Sequence, residues 1–520
     1  HHAVRHGLRR VIYVIPYTSV IEQNARVFAS VFGAENVLEH HSLAGWRKSA
    51  DESTCEGIDS VALRWKLAAE NWDAPFVVTT NVQFFEGLHA HRPSAVRKIH
   101  RILDAVVLFD ECQTFPPGLL QPTLATLRAL QALGRGSLVF CTATQPAFDQ
   151  RGFFAEGFPE IREIIPPDLR LHARPEFTRT RIRRRTTAVS IAQFAEEFSG
   201  CHRALAVVNT KHSARKLFAA AADILKNNPS RSTPKTTPDA AAAANAAAGL
   251  VHPAHSVHDV HPVHAAAAPA GLYHLSTAMC PAHRQAVMDA VRIRLASPEC
   301  SCLLVSTQLI EAGVDCDFPK LYRDRGPLDS ILQAAGRCNR EGRLTDAAGQ
   351  ARRGEVEVIH LADSNLPDDA YERATLLAAK FLPATADVDA DISPEKIRQY
   401  FRELYQGANR DEKGIAYQRE QQNHRAVGER YRWIDEDEPT VAVLAASDEI
   451  SRAWIAALDA RPHEPPSRRE WRVLGPFCVN LRASAVERGI RAGALRCLRN
   501  GVVVTQPRHY DPCFGYTLDV

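Results

Sequence analysis

No glycine precedes a lysine anywhere in these 520 residues. The Gly-x-x-x-x-Gly-Lys-[Ser/Thr] loop, whose amides and lysine cradle nucleotide phosphates, is therefore missing from the span. Also missing is any Cys-x-x-Cys pair among the 12 cysteines; the closest two, Cys300 and Cys302, flank a single serine. No paired-thiol metal or redox motif is written in them. Several close apolar runs, as Cys141 does in LVFC, and reduced thiols in a cytoplasmic protein are the expectation. No apolar run approaches the about 18 residues of a membrane span, and no signal peptide is visible. Nor is there a charge excess. The 63 basic and 60 acidic residues nearly cancel, so any nucleic-acid contact must rest on local patches and backbone amides.

What is present is a long alternation of short apolar runs and helical patterns. Strands are expected at 11–15 (VIYVI), 76–80 (FVVTT), 105–110 (AVVLFD) and 137–143 (SLVFCTA). A second series follows at 204–209, 272–275, 302–307, 321–324 and 356–360. Helices such as Ser19 to Phe32 and Pro281 to Leu295 separate them. Continuous β-branched runs between helices imply parallel sheets covered on both faces. The expected fold is α/β: two tandem doubly wound lobes over 1–185 and 186–365, joined in the arginine-rich stretch near 175–200. Linker helices and a small α+β accessory domain are expected over 366–520. His1 to Leu8 read as the last turns of a helix closed by Gly7 before the first strand, which suggests a chain that starts in mid-domain.

Residues 226–270 are foreign to the rest. An alanine tract, Ala240 to Ala248 broken by Asn245, leads into histidines at 252, 255, 258, 261 and 264, every third position and interrupted by proline. A polyproline-II path would stack these rings on one edge. Nothing nearby supplies a second shell for a metal, so an inserted loop is the expected reading.

The chemistry collects at strand ends. Asp110, Glu111 and Gln113 follow the apolar run AVVLF, where an open parallel sheet binds its ligands. Two adjacent carboxylates there suit a division of labour, Asp110 holding Mg²⁺ and Glu111 polarising a water. Thr142 and Thr144 end the neighbouring run, with hydroxyls able to reach the acidic motif. In QAAGRCNR, the spacing of Gln333, Gly336, Arg337 and Arg340 predicts an amide and two guanidiniums on one helical face, a fork suited to a triphosphate. Gly313 permits close backbone approach, and Asp315 is placed to orient Arg337 or Arg340. Pro16, Thr18, Thr79, Thr80, Asn209, Thr210, Ser306, Thr307 and Gln308 all lie at strand ends, where hydroxyls and amides can hold a nucleic-acid backbone without reading bases. Each is equally able to cap a helix.

In VIPYTSVIEQNA, VVTTNVQFFEGL, DECQ, STQLIEAGVD and YRDRGPLDSILQAAGRCNREGR the chain resembles a superfamily two helicase, more narrowly the CRISPR-associated helicase–nuclease of type I systems. The likeness covers about residues 1–365 and touches the tail only at HYDPCFGYTLD. It implies two RecA-like lobes, ATP and Mg²⁺, 3′→5′ movement on single-stranded DNA, and recruitment to a DNA-bound surveillance complex. It also implies an HD nuclease, upstream or on a separate chain, and assigns Asp110 and Glu111 to the metal and water, Gln333 to the nucleotide, and Arg337 and Arg340 as fingers. The core motifs equally fit a general DExH motor of RNA metabolism or DNA repair, and the missing phosphate loop leaves a nucleic-acid-binding chain without turnover as a further alternative. Deleting residues 230–268 is expected to leave the melting temperature and ATP hydrolysis nearly unchanged. A scan showing a large drop in either would give the histidine tract a role.

Overall fold

The computed structural model describes residues 1–16, 18–40, 68–150, 154–166, 177–228, 271–311, 314–346, 348–383, 388–390, 392–434 and 439–518, with 169, 174 and 269. The chain divides into two compact units, one of residues 1–170 with 393–437, the other of 171–392 with 438–520.

The first unit is built on five parallel strands in the order β2-β3-β1-β4-β5. In sequence they are β1 (Arg10–Ile15), β2 (Val37–His40), β3 (Phe76–Thr80), β4 (Ala105–Phe109) and β5 (Ser137–Phe140). Every residue of β3 is buried, as an apolar run lying inside a sheet covered on both faces requires. Phe84 and Phe85, from the helix Asn81–His89, cross Phe109 and Phe115 in a continuous aromatic layer. The helix Leu120–Leu133 buries Leu120, Leu124, Leu127 and Leu130, spaced for one helical face.

Residues 393–437 join this unit through aromatic contacts. The helix Pro394–Gln406 buries Tyr400, Phe401 and Tyr405. Trp433 stacks on Phe85 at 4.5 Å, and Tyr431 on His89 at 3.5 Å. His89 is buried there with its ring nitrogens on the Phe85 carbonyl and Thr126. Burial, and the Arg419 guanidinium after it, pull its pKa down to about 3. The ring is neutral packing.

The second unit holds six parallel strands in the order β6-β11-β10-β7-β9-β8. These are β6 (Thr180–Val189), β7 (Arg203–Val207), β8 (Leu272–Leu275), β9 (Cys302–Ser306), β10 (Lys320–Asp324) and β11 (Gly354–Leu361). The expected junction thus contains a strand. In β6 the arginines occupy a sheet edge, where a guanidinium reaches water or an acid while its stem lies on the sheet. Arg181 and Arg183 pair with Asp389, and Arg185 with Glu197 and Glu357. Only Ile182 is buried among them. The contact division also departs from the expected one, in which everything after 366 stands apart.

A four-stranded mixed sheet of β12 (Thr440–Leu444), β13 (Cys478–Arg482), β14 (Leu495–Cys497) and β15 (Val503–Thr505) completes this unit. Then comes a small hairpin of β16 (Tyr510–Asp511) and β17 (Gly515–Tyr516). The Tyr510 hydroxyl accepts the Cys280 amide at 3.0 Å and contacts His283 Nδ1 at 3.0 Å. Phe514 packs edge-on against Phe218 at 5.1 Å. Gly515 has φ +78°, and a Cβ there would lie 2.4 Å from the Ala278 carbonyl oxygen. Gly515→Ala is expected to cost about 2–3 kcal/mol in a denaturant titration. Gly501→Ala, at φ +86° with open space around it, is expected to cost about 1 kcal/mol.

Candidate nucleotide and nucleic-acid sites

In the first unit the strands end level. Ile15 pairs with Thr80, and Val14 with both Thr79 and Phe109. Pro16, Thr79, Thr80 and Asp110 therefore share one sheet edge. Asp110 is half-buried, with Oδ1 accepting the Glu111 amide at 3.0 Å and Oδ2 accepting the Tyr13 hydroxyl at 2.5 Å. Burial and the bond to Asp110 push the Tyr13 phenol well above its ordinary range, so it stays a donor. Glu111 sits at φ +49°, ψ +45°. Left-handed backbone at a non-glycine residue is a local cost that the surrounding contacts must sustain. Gln113 supplies one such contact. Its amide donates to Glu111 Oε2 at 2.5 Å, and its carbonyl accepts the Thr142 hydroxyl. Thr142 to Gln113 to Glu111 is thus a continuous hydrogen-bonded chain across two strand ends. Thr144 joins it by its backbone alone: its amide donates to Thr142 Oγ1 at 3.0 Å, while its own buried Oγ1 has no hydrogen-bond partner among the described residues.

Asp110 also passes a chemical test for Mg²⁺. Each carboxylate oxygen has spent one lone pair and keeps another. Among the described residues no three His, Cys, Asp or Glu side chains converge as a cage. The fit is to a cation that takes one or two carboxylates and completes its shell with water and phosphate.

The remaining residues expected to touch nucleic acid in this unit have local duties. The Thr79 hydroxyl donates to the His40 carbonyl at 2.8 Å, and Thr80 caps the following helix by accepting the Gln83 amide at 3.2 Å. Pro16 is half-buried after β1, and Thr18 opens the helix Thr18–Phe32. Tyr17 and Gly313 lie outside the described residues.

In the second unit the expected helical face is not formed. The helix Leu328–Ala335 stops before Gly336, so Gln333 is helical while Arg337 and Arg340 lie on the loop that follows. The reason is Asn339. It takes φ +48°, and its amide donates to the carbonyls of Arg179 and Arg352, both at 3.0 Å. Cys338 meanwhile bridges to Phe318. Arg337 lies against the preceding loop, with Nε and one Nη donating to the carbonyls of Ile310 and Glu311 at 3.0 and 2.6 Å. Arg340 faces outward at 40% side-chain exposure and pairs with Asp315 at 3.5 Å. Of the two arginines considered for Asp315, it meets Arg340. Asp317 holds the same turn by accepting the Arg340 and Glu341 amides.

Asn209 is committed inside the unit. Its amide donates to Asp324 and to the Arg325 carbonyl, and its oxygen accepts from Arg323 and Tyr371. That corrects the expectation of a phosphate contact through its side chain. Thr210 caps the helix Lys211–Asn227. Ser306 donates to the carbonyls of Leu275 and Thr307, Thr307 is buried, and Gln308 donates to the Asn209 carbonyl.

Unforeseen from sequence is the group at the centre of this network. Arg323 is fully buried and pairs with Glu311 at 2.9 Å. Burial pulls this guanidinium down, but Tyr371, Glu311 and Asp324 more than restore it. Burial pushes the Glu311 carboxyl up to about 7, against the pull of Arg323 and Ser330. The signal was legible: two adjacent charges, Arg323 and Asp324, close an apolar strand.

Comparison with known proteins agrees with the motifs. The family described as "CRISPR-associated nuclease/helicase Cas3, C-terminal" matches residues 248–343. The CRISPR-associated nuclease/helicase Cas3 of Haloferax volcanii is 26% identical over 478 residues, covering 76% of this chain and 50% of the relative. The Cas3 of Thermus thermophilus is 26% identical over 367 residues, covering 65% of this chain and 38% of the relative. The AMPPNP complex of T. fusca Cas3 superposes with a TM-score of 0.62 at 15% identity, covering 98% of this chain and 65% of that one. The chain is similar to these Cas3 proteins. Its fold is that of two RecA-like lobes, and it spans about half or less of the length of the curated Cas3 relatives it matches.

Asn339→Ala is expected to lose about 2–4 kcal/mol in thermal or chemical denaturation, from the vacated Arg179 and Arg352 carbonyls and Leu344 amide and from a strained backbone. Asn339→Gly, which vacates the same groups but relieves the backbone strain, should lose up to about 1 kcal/mol less.

Proposed function

We propose that this chain is the motor portion of an ATP-driven, 3′→5′ single-stranded DNA translocase that unwinds target DNA in type I CRISPR interference. What supports the reading is the hydrogen-bonded chain from Thr142 through Gln113 to Glu111, beside an Asp110 with lone pairs to spare. A strand-end acid pair so held can position a water and, at the same time, register the state of the bound nucleotide. Asp110 would hold Mg²⁺, which supplies charge neutralisation at the phosphates. Glu111 orients the attacking water and accepts its proton, with Gln113 fixing the carboxylate's second oxygen. Arg337 and Arg340 are the second lobe's triphosphate-facing groups, and a guanidinium on developing charge is worth roughly 10³–10⁵ in rate. The strand-end amides and the surface around Gln308 grip the DNA backbone, since most strand-end hydroxyls are already spent.

Location in the cytoplasm belongs to the same proposal; among the described residues no helix is long and apolar enough to cross a membrane. So do recruitment to a DNA-bound surveillance complex and work beside an HD nuclease. A chain of a "CRISPR RNA-guided surveillance complex, pre-nicking" superposes with a TM-score of 0.52 at 15% identity, covering all of this chain and 69% of that one. The absent Gly-Lys pair favours a second reading for this span by itself, a nucleic-acid binder without turnover.

Arg340→Ala in the complete product of the gene is expected to abolish DNA-stimulated ATP hydrolysis with the melting curve unchanged. Undiminished turnover in a phosphate-release assay would remove Arg340 from the mechanism. A complete product with no ATPase at all would leave the binding reading.

A further inference from the structure

The Arg337 guanidinium is held at two points by consecutive peptide carbonyls, those of Ile310 and Glu311. A planar fork caught twice is fixed in orientation as well as place. Its aim therefore depends on whatever fixes those carbonyls. They belong to the single turn Gln308–Ile310 and the residue after it, a segment too short to define itself. Gln308 ties one end of it to the Asn209 carbonyl, and the Glu311 side chain anchors the other. Oε1 pairs with Arg323 Nε at 2.9 Å, and the Ser330 hydroxyl lies 2.9 and 2.8 Å from the two carboxylate oxygens. Ser330 is on the helix Leu328–Ala335 that carries Gln333. Arg323 is on β10 and is itself held by Asn209, Tyr371 and the Asp324 carbonyl.

We propose that Glu311 is a positioning residue for nucleotide hydrolysis: its buried carboxylate, locked to Arg323 and Ser330, fixes the peptide carbonyl that aims Arg337. This rests on the reading of Arg337 as a triphosphate-facing finger. An ion pair so deeply buried adds little net stability over an apolar pair of the same shape, but it holds its members in one geometry. Three separate elements within residues 308–335 thereby share one register: a strand, the helix bearing Gln333, and the loop bearing the carbonyls. Arg340 is independent of it, on an exposed turn governed by Asp317 and Asp315.

The test measures DNA-stimulated ATP hydrolysis and thermal melting in the complete gene product, for Glu311→Gln, Arg337→Lys and the two together. Glu311→Gln is expected to lower kcat about tenfold to 100-fold. KM for ATP should stay within about twofold, the pattern of an interaction felt in the transition state. In the Arg337→Lys background the same change should alter kcat by less than about twofold, because coupled residues are not additive. A folded Glu311→Gln protein as fast as wild type would overturn the proposal, as would equal-fold losses in both backgrounds. Should Glu311→Gln not fold, Ser330→Ala keeps the ion pair and undergoes the same comparison. Its smaller loss, about threefold, must also vanish beside Arg337→Lys, and additivity would overturn the proposal. Arg337→Lys at wild-type speed would sink the finger reading itself, whereas a slow Arg337→Lys with additive Glu311→Gln sinks only the positioning role.

Discussion

A guanidinium sealed from water must find every one of its partners in the protein, and Arg323 sets that condition for the second lobe. Leaving such a charge unpaired would cost several kcal/mol, more than most single contacts return. The residues recruited to satisfy it come from β7's end, β10, the loop after β9, the helix Leu328–Ala335 and the helix Asp369–Ala378. Asp324, next in sequence, gathers the Leu361 and Arg325 amides and the Ser364 hydroxyl. The carboxyl ends of three neighbouring strands are thus welded by polar contacts, where an α/β sheet ordinarily opens to ligand. Arg337 and Arg340 are then presented on loops that leave a rigid platform.

The first lobe solves the same problem differently. Its acids are half-buried rather than sealed, and each oxygen of Asp110 is only partly used. Glu111 keeps a left-handed backbone, with its carboxylate accepting the Gln113 amide. A group meant to change its partners during a reaction cycle cannot be fully satisfied at rest. Under the proposed function, the contrast between a sealed arginine node and an open acid pair follows from two duties: one holds a shape, the other exchanges ligands.

Strand positions were legible because buried parallel strands are apolar throughout, and β3 and β8 fall where the runs fall. β6 was hidden by the same rule. Its arginines read as a linker, since a sequence does not show that Asp389, Glu197 and Glu357 wait beside an edge strand. The acid pair was visible from its place after AVVLF, as was the reach of Thr142 towards it, but not the passage of that link through Gln113. The fate of Asn209 was not, because its four partners come from strand and helix residues more than a hundred positions away. QAAGRCNR misled in a third way. Its spacing is helical, but the bonds that Asn339 makes to Arg179 and Arg352 outweigh one more turn of helix.

The same competition explains how the late segments attach. Short helices such as Ile415–Glu420 and His424–Arg430 are too brief to be stable alone, so their order must be borrowed from a surface. Trp433 and Tyr431 borrow it from Phe85 and His89, the middle and last residues of the helix directly after β3. The hairpin of Tyr510 and Gly515 borrows from the loop that opens the helix Pro281–Ala296. In both cases the surface is the segment immediately following a strand, β3 or β8, and the end of β3 carries candidate ligand contacts. A change of backbone at either strand end would therefore be felt first by a chain segment remote in sequence, and that segment's packing would resist it.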